Sequence, residues 1–149
     1  MTRFFRLLCM MTLAAAPLLS HRALADDNSV IEYREHIMNT LNEQAAALGE
    51  ILSGAIPDDA AVAHFEAIAL AASIALKAFE PKVPGGEAKP IVWNDWADFS
   101  RRMNEFAKET AKAAKLAQQQ GKDASLADLV GAFTCKECHD VYRDKKRGK

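Results

Sequence analysis

The sequence predicts an all-α fold, an antiparallel up-down four-helix bundle, and three observations carry that prediction. Apolar residues recur in alternating steps of three and four along long segments, strand-like alternation of useful length is lacking, and prolines and glycines cluster between the segments. The 149 residues are one domain's worth of chain, and a hydrophobic share of 50% excludes a disordered one. With 19 basic against 20 acidic residues the chain lacks the charge to grip nucleic acid, and three cysteines are too few for a disulfide scaffold.

The elements follow in order. Arg3 and Arg6 form a basic start, Leu7 to Leu19 is apolar, and Ala23-Leu24-Ala25 is a small-x-small site, so residues 1–25 read as a cleaved secretory signal peptide. The apolar stretch is too short to span a bilayer, which takes about 20 residues, so the mature chain is not expected to insert in a membrane. Cleavage removes three arginines and no acid, leaving residues 26–149 mildly acidic with only Cys135 and Cys138. Pro57, the crowd Pro81, Pro84, Gly85, Gly86 and Pro90, and then Gly121 divide that chain into four segments. They run over 29–53, 58–79, 93–120 and 124–146, with Ser29, Asp58 or Asp59, Asn94 and Ser125 as expected N-caps.

The first segment carries the stripe Met38, Leu41, Ala45, Leu48 and Leu52. The second carries Val62, Phe65, Ala69, Ala72, Leu76 and Phe79, and the third Val92, Trp96, Phe99, Met103, Phe106, Thr110, Ala113 and Ala117. Each stripe lays apolar groups along one helix face, and a repeat near 3.5 residues favours shallow crossing angles between short-linked neighbours.

The fourth segment holds Cys135-Lys136-Glu137-Cys138-His139, a C-x-x-C-H sequence and the signature of c-type haem attachment. On a helix the thiols and the imidazole share one face, so two thioethers can hold a porphyrin edge while His139 reaches the iron. Competing readings account for less. A disulfide between positions three apart would strain its geometry and leave His139 idle. A thioredoxin-like pair needs a strand-helix unit, and zinc needs a fourth ligand, which His36 and His64 do not supply by spacing. One covalent haem c near the C-terminal helix is the cofactor expected.

With these residues in view the sequence resembles the class II cytochromes c, which include cytochrome c′ and its low-spin, Met/His-ligated relatives. The stretch 31–38 (Ile-Glu-Tyr-Arg-Glu-His-Ile-Met) is similar to the family's first-helix Tyr-Arg motif. The stretch 85–93 resembles the connection into the third helix, and 135–143 the terminal haem-binding stretch. The resemblance covers essentially the whole mature chain and implies a four-helix bundle, haem near the C-terminus and, often, a homodimer. Gas-binding members carry an apolar residue such as Leu at the first-helix position facing the iron. Here the resemblance puts Met38 there.

A thioether ligand opposite His139 would fill the sixth coordination site and raise the reduction potential. The expectation is therefore a periplasmic, low-spin, monohaem electron-transfer protein with His139 and Met38 as metal ligands, unidentified redox proteins as partners, and no enzymatic activity. Core packing is the alternative for Met38; Met103, on the third stripe, is the other methionine of the mature chain. Arg34, one turn before Met38, is a candidate partner for a haem propionate, and Arg143, one turn after His139, for the imidazole surroundings. Both could equally be solvated helix charges. Tyr142, Phe133, Phe79, Leu76 and Phe106 are expected to wall the pocket, and the basic run from Arg143 to Lys149 suits a helix C-terminus and an acidic partner. Two rival functions stand: a five-coordinate cytochrome c′ type binding nitric oxide or carbon monoxide, and a haem-free helical binding module.

Overall fold

In the computed structural model of the chain, residues 26–133 and 135–144 are described; residues 1–25, on which the signal-peptide expectation falls, Thr134 and the stretch from 145 onwards lie outside the described residues. Among the described residues six helices follow one another: α1 (Asp27–Leu52), α2 (Ala61–Ala75), α3 (Ile91–Asn94), α4 (Trp96–Gln120), α5 (Lys122–Ala132) and α6 (Cys135–Tyr142). Short 3-10 turns, Asp58–Ala60 and Leu76–Phe79, extend α2 at both ends. Among the described residues there is no strand, only isolated bridges that join Ala88 to Gly85 and to Arg143.

Asp26 caps α1, its Oδ1 accepting from the Ser29 N–H at 2.9 Å, so the cap lies three residues before the Ser29 expected. A carboxylate at that point also suits the positive end of the helix dipole. Asp95, with φ −121° and ψ 56°, breaks the third segment and caps α4, where Asn94 was expected. The fourth segment begins earlier than predicted and is not continuous. Gly121 at φ +84° turns the chain directly into α5, which leaves Ser125 buried inside the helix, its hydroxyl donating to the Lys122 carbonyl at 2.9 Å. Phe133, with ψ 64°, then ends α5, and α6 starts anew at Cys135.

The helices pack as an up-down bundle around two core clusters. The first joins the end of α1 (Leu48, Ile51), the start of α2 (Ala61, Phe65, Ile68), the second half of α4 (Ala113, Ala114, Ala117) and Leu129 of α5. Phe65, Leu48 and Ile68 are essentially inaccessible, and burial of each stabilises the fold by about 1.5–3 kcal/mol. The second cluster lies at the other end and joins Ile37 of α1, Ala75 at the end of α2, Ala78 and Phe79 of the turn that follows, Val92 of α3, Phe99 and Met103 of α4, and Tyr142 of α6. It contains both the opening helix and the closing one. The stripe predicted for α1 holds at Leu48, which is buried, but at either end the buried residue is the one before it: Ile37 and Ile51 are buried while Met38 and Leu52 are half-buried. α2 is apolar round most of its surface, with His64, Glu66 and Ser73 as its polar side chains, so its expected stripe missed Ile68, which is fully buried.

Candidate functional site

The candidate site is built at the α6 end of the bundle. α6 is only eight residues long and could not persist alone, since short helices in water are marginal. It is fastened at its C-terminal end by the connection between α2 and α4. The Lys89 N–H donates to the Tyr142 carbonyl at 3.0 Å and the Asp144 N–H to the Glu87 carbonyl at 2.8 Å. The Lys89 ammonium donates to the carbonyls of Asp140 and Val141 at 3.2 and 3.3 Å, a cation at the negative end of the helix. Arg143 Nε donates to Glu87 Oε2 at 2.5 Å.

The same connection reaches α1 through its glycines. Gly86 sits at φ +61°, and a Cβ there would stand 2.9 Å from both Ile31 Cγ2 and Glu35 Oε1. Glycine is required at this point both by the left-handed backbone and by the approach to α1. The loop from Gly85 to Lys89 therefore ties the helix carrying Arg34 and Met38 to the helix carrying His139.

Cys135 and Cys138 are free thiols on α6, the first exposed and the second half-buried. Desolvation pushes both thiols above their ordinary range, and at Cys138 the nearby Arg102 works against it. His139 lies on the same short helix. Loss of water around the ring, and then the charge of Arg143, hold its imidazole below the ordinary histidine range. A neutral imidazole is the form that can donate a nitrogen lone pair to a metal.

Arg34 is buried, with 3% of its surface exposed, so the alternative of a solvated helix charge fails. Its Nη2 donates to the Val83 carbonyl at 2.7 Å, and its guanidinium carbon lies 5.1 Å from the Trp93 ring centroid and 5.5 Å from that of Phe79. Trp93 is itself held by its indole N–H, which donates to the Phe79 carbonyl at 2.8 Å. Burial draws the guanidinium below its ordinary range, with Glu35 opposing, and Nη1 is buried with no hydrogen-bond partner. A buried cationic N–H without an acceptor is costly, and a carboxylate is what would relieve it. Arg143 is half-buried and spent on Glu87, although its charge still reaches His139.

Met38 packs half-buried against the second cluster, the same one that contains Tyr142. Of the five expected wall residues, Phe79, Tyr142 and Leu76 share that cluster. Phe99, which was placed only on a stripe, is their centre, 5.0 Å from Phe79 and 5.1 Å from Tyr142 between ring centroids. Phe106 and Phe133 pair with each other at 6.5 Å, and Phe133 packs on the first cluster. Phe106 also lines a cleft of about 460 Å³ between α4, the end of α5 and α6, with Arg101, Arg102, Ala132 and Glu137. Sequence reasoning missed Asp98. Its carboxylate accepts from Tyr142 Oη and Arg102 Nε, both at 2.6 Å, and from Arg101. The spacings to Arg101 and Arg102 were visible as helix pairs, but the link to Tyr142 crosses 44 residues.

The residues present fit a covalent haem: two free thiols and an imidazole on one short helix, an aromatic cluster, and a buried cation in need of a carboxylate. Comparison with known proteins agrees. A family model described as Cytochrome C′ matches residues 29–143. A cytochrome c′ of Alcaligenes xylosoxydans is 31% identical over 127 residues, 82% of this chain and 98% of that one. The solved structure of ferric cytochrome c′ from Alcaligenes xylosoxidans superposes with a TM-score of 0.74 at 28% identity, covering 83% of this chain and 99% of that one. A ferrous variant of that protein with bound nitric oxide superposes with a TM-score of 0.70 at 26% identity over 83% of this chain and 99% of that one.

These matches overturn the expectation of a low-spin electron carrier permanently ligated by Met38 and His139. The family matched is that of cytochrome c′, and nitric oxide binding of the kind seen in that structure needs a coordination position that a permanent methionine ligand would fill. With the bundle, the C-x-x-C-H helix and the matched span taken together, the chain belongs to the cytochrome c′ family, four-helix bundles that carry one covalent haem c per chain.

Proposed function

We propose that this chain is a periplasmic haem protein that binds small gases such as nitric oxide or carbon monoxide, after removal of residues 1–25 as a signal peptide. The observation that carries the reading is the match over residues 29–143 to cytochrome c′, together with the nitric-oxide-bound neighbour. Bound haem would supply an iron able to take a diatomic ligand.

The chain's own residues divide the remaining work. Cys135 and Cys138 would hold the haem to α6 through thioethers, and His139 would supply a nitrogen to its iron. Arg34, with its unpartnered Nη1, pairs with a propionate and holds that edge inside the bundle. Met38 is a wall of the gas site. Its half-buried seat among apolar and aromatic side chains supports packing as its role, and a flexible thioether there limits the space open to a ligand. The exposed Leu70 and Ile74 on α2 support self-association through the outer face of the bundle, as the family resemblance implies.

The ferric spin state tests the reading. Electron paramagnetic resonance of the holoprotein at neutral pH is expected to give high-spin iron, and Met38→Leu is expected to leave it high-spin. A low-spin signal in the native protein that becomes high-spin on Met38→Leu would refute it.

A further inference from the structure

We propose that Asp98 is the positioning residue of the proximal helix: its carboxylate, acting through Tyr142, fixes the roll of α6 about its own axis and so the direction in which His139 is presented. The inference rests on the reading of His139 as the iron ligand.

Two fastenings hold α6, and they constrain different motions. The loop from Glu87 to Lys89 grips the backbone at one end of the helix through the Tyr142 carbonyl and the Asp144 N–H. A two-turn helix pinned by main-chain bonds at one end can still rotate about its axis. At its other end Cys135, Lys136 and Glu137 are exposed, so there the protein itself adds no packing, and in the holoprotein that end is held by the thioethers to the haem, which turns with it. The side chain of Tyr142 supplies the missing constraint. Its ring is buried and meets Phe99 edge-on, at 74° and 5.1 Å between centroids, while its hydroxyl donates to the carboxylate of Asp98, the residue next to Phe99. Ring and hydroxyl are thus tied to one turn of α4.

Asp98 is in turn immobilised on α4. Arg102 donates to the same oxygen as Tyr142, at 2.6 Å, and Arg101 to the other. The carboxylate is held from its own helix by two arginines and extends to α6 a single acceptor at a fixed point. A hydrogen bond to a charged acceptor is stronger and more directional than a neutral one. Tyr142, buried, lies three positions after the exposed His139, less than one turn along the same rigid helix. Any roll permitted to Tyr142 is passed to His139.

The test uses the holoprotein in five forms: Tyr142→Phe, which keeps the ring and removes the hydroxyl, Asp98→Ala, the double variant, Asp98→Asn, and Leu129→Ala as a control in the other core cluster. Two readouts are taken, the iron–histidine stretching band of the ferrous protein by resonance Raman and amide hydrogen exchange over 136–142. Tyr142→Phe and Asp98→Ala are each expected to shift or broaden the band and to speed exchange in α6 about tenfold, as loss of one charge-assisted bond implies. The double variant should be no worse than the Asp98→Ala single, and Asp98→Asn, which retains an acceptor for the hydroxyl, should recover most of both signals. Leu129→Ala should speed exchange in the first cluster and leave the band in place. An unmoved band in Tyr142→Phe, or single effects that add in the double variant, would overturn the proposal. A wild type lacking the band would refute the ligand reading instead, and the α6 exchange rates would then support or overturn the Asp98 contact by themselves.

Discussion

Replacing Arg34 by Met removes a buried charge while keeping an unbranched apolar stem, and the structure sets the size of the effect. The guanidinium makes one hydrogen bond to a backbone carbonyl, Val83, and faces two aromatic rings, Trp93 and Phe79. A hydrogen bond from a charged donor contributes about 1.5–3 kcal/mol, and each cation–π contact about 0.5–1 kcal/mol. Against this stands the cost of keeping a guanidinium 3% exposed with one nitrogen unpaired, which the substitution relieves. In the holoprotein a propionate at Nη1 removes that relief, and the expected loss is about 3 kcal/mol. Equilibrium urea unfolding followed by far-ultraviolet circular dichroism and by haem absorbance would measure it, with the slope unchanged and the midpoint lowered. A solvated surface arginine would cost within about 0.5 kcal/mol, and a loss that small would refute the burial of Arg34 and its role toward the cofactor.

Three further outcomes follow from other contacts. Gly86→Ala should destabilise the protein more than Gly54→Ala, because both adopt positive φ but only Gly86 faces Ile31 and Glu35 within contact distance. The shared backbone strain is about 1–2 kcal/mol and the crowding adds about 1–3 kcal/mol, which parallel unfolding curves would separate. Ultraviolet titration should find Tyr142 ionising near pH 12, since burial and then the bond to Asp98 push its phenol up to about 12 from 10. Its folded-state value is the higher one, so its contribution to stability is intact below pH 10 and lost between about 10 and 12. Asp98 acts in the opposite sense at the acid end. Tyr142, then Arg102 and Arg101, hold its carboxyl well below the usual range, so its contribution is present above about pH 4 and lost as the pH falls further.

How far the sequence could be read depended on how local each feature is. The four segments and their stripes were legible because helical periodicity repeats within each segment, and the C-x-x-C-H helix because its spacing is local too. The break at Phe133 was not, since the run from 124 to 146 contains no proline and its one glycine, Gly131, is helical. The caps were displaced by one to three residues because capping side chains are adjacent there: Asp26, Asp27, Asn28 and Ser29 at the first start, Asn94 and Asp95 at the third. Arg34 read equally well as a surface charge because its burial depends on the connection after α2, which brings Val83 and Trp93 over it from 49 and 59 residues away. The contact between Asp98 and Tyr142 was hidden for the same reason. The low-spin reading through Met38 rested on the family position and on the thioether being a competent ligand, neither of which says whether the bond forms; the comparisons turned the reading toward a site that gases enter.

Addition of carbon monoxide to the dithionite-reduced holoprotein tests the central claim most directly. The account predicts an immediate, saturable change in the haem spectrum with one gas molecule bound per chain, in the native protein and in Met38→Leu alike. A reduced spectrum that carbon monoxide leaves unchanged in the native protein, and alters only once Met38 is replaced, would contradict it.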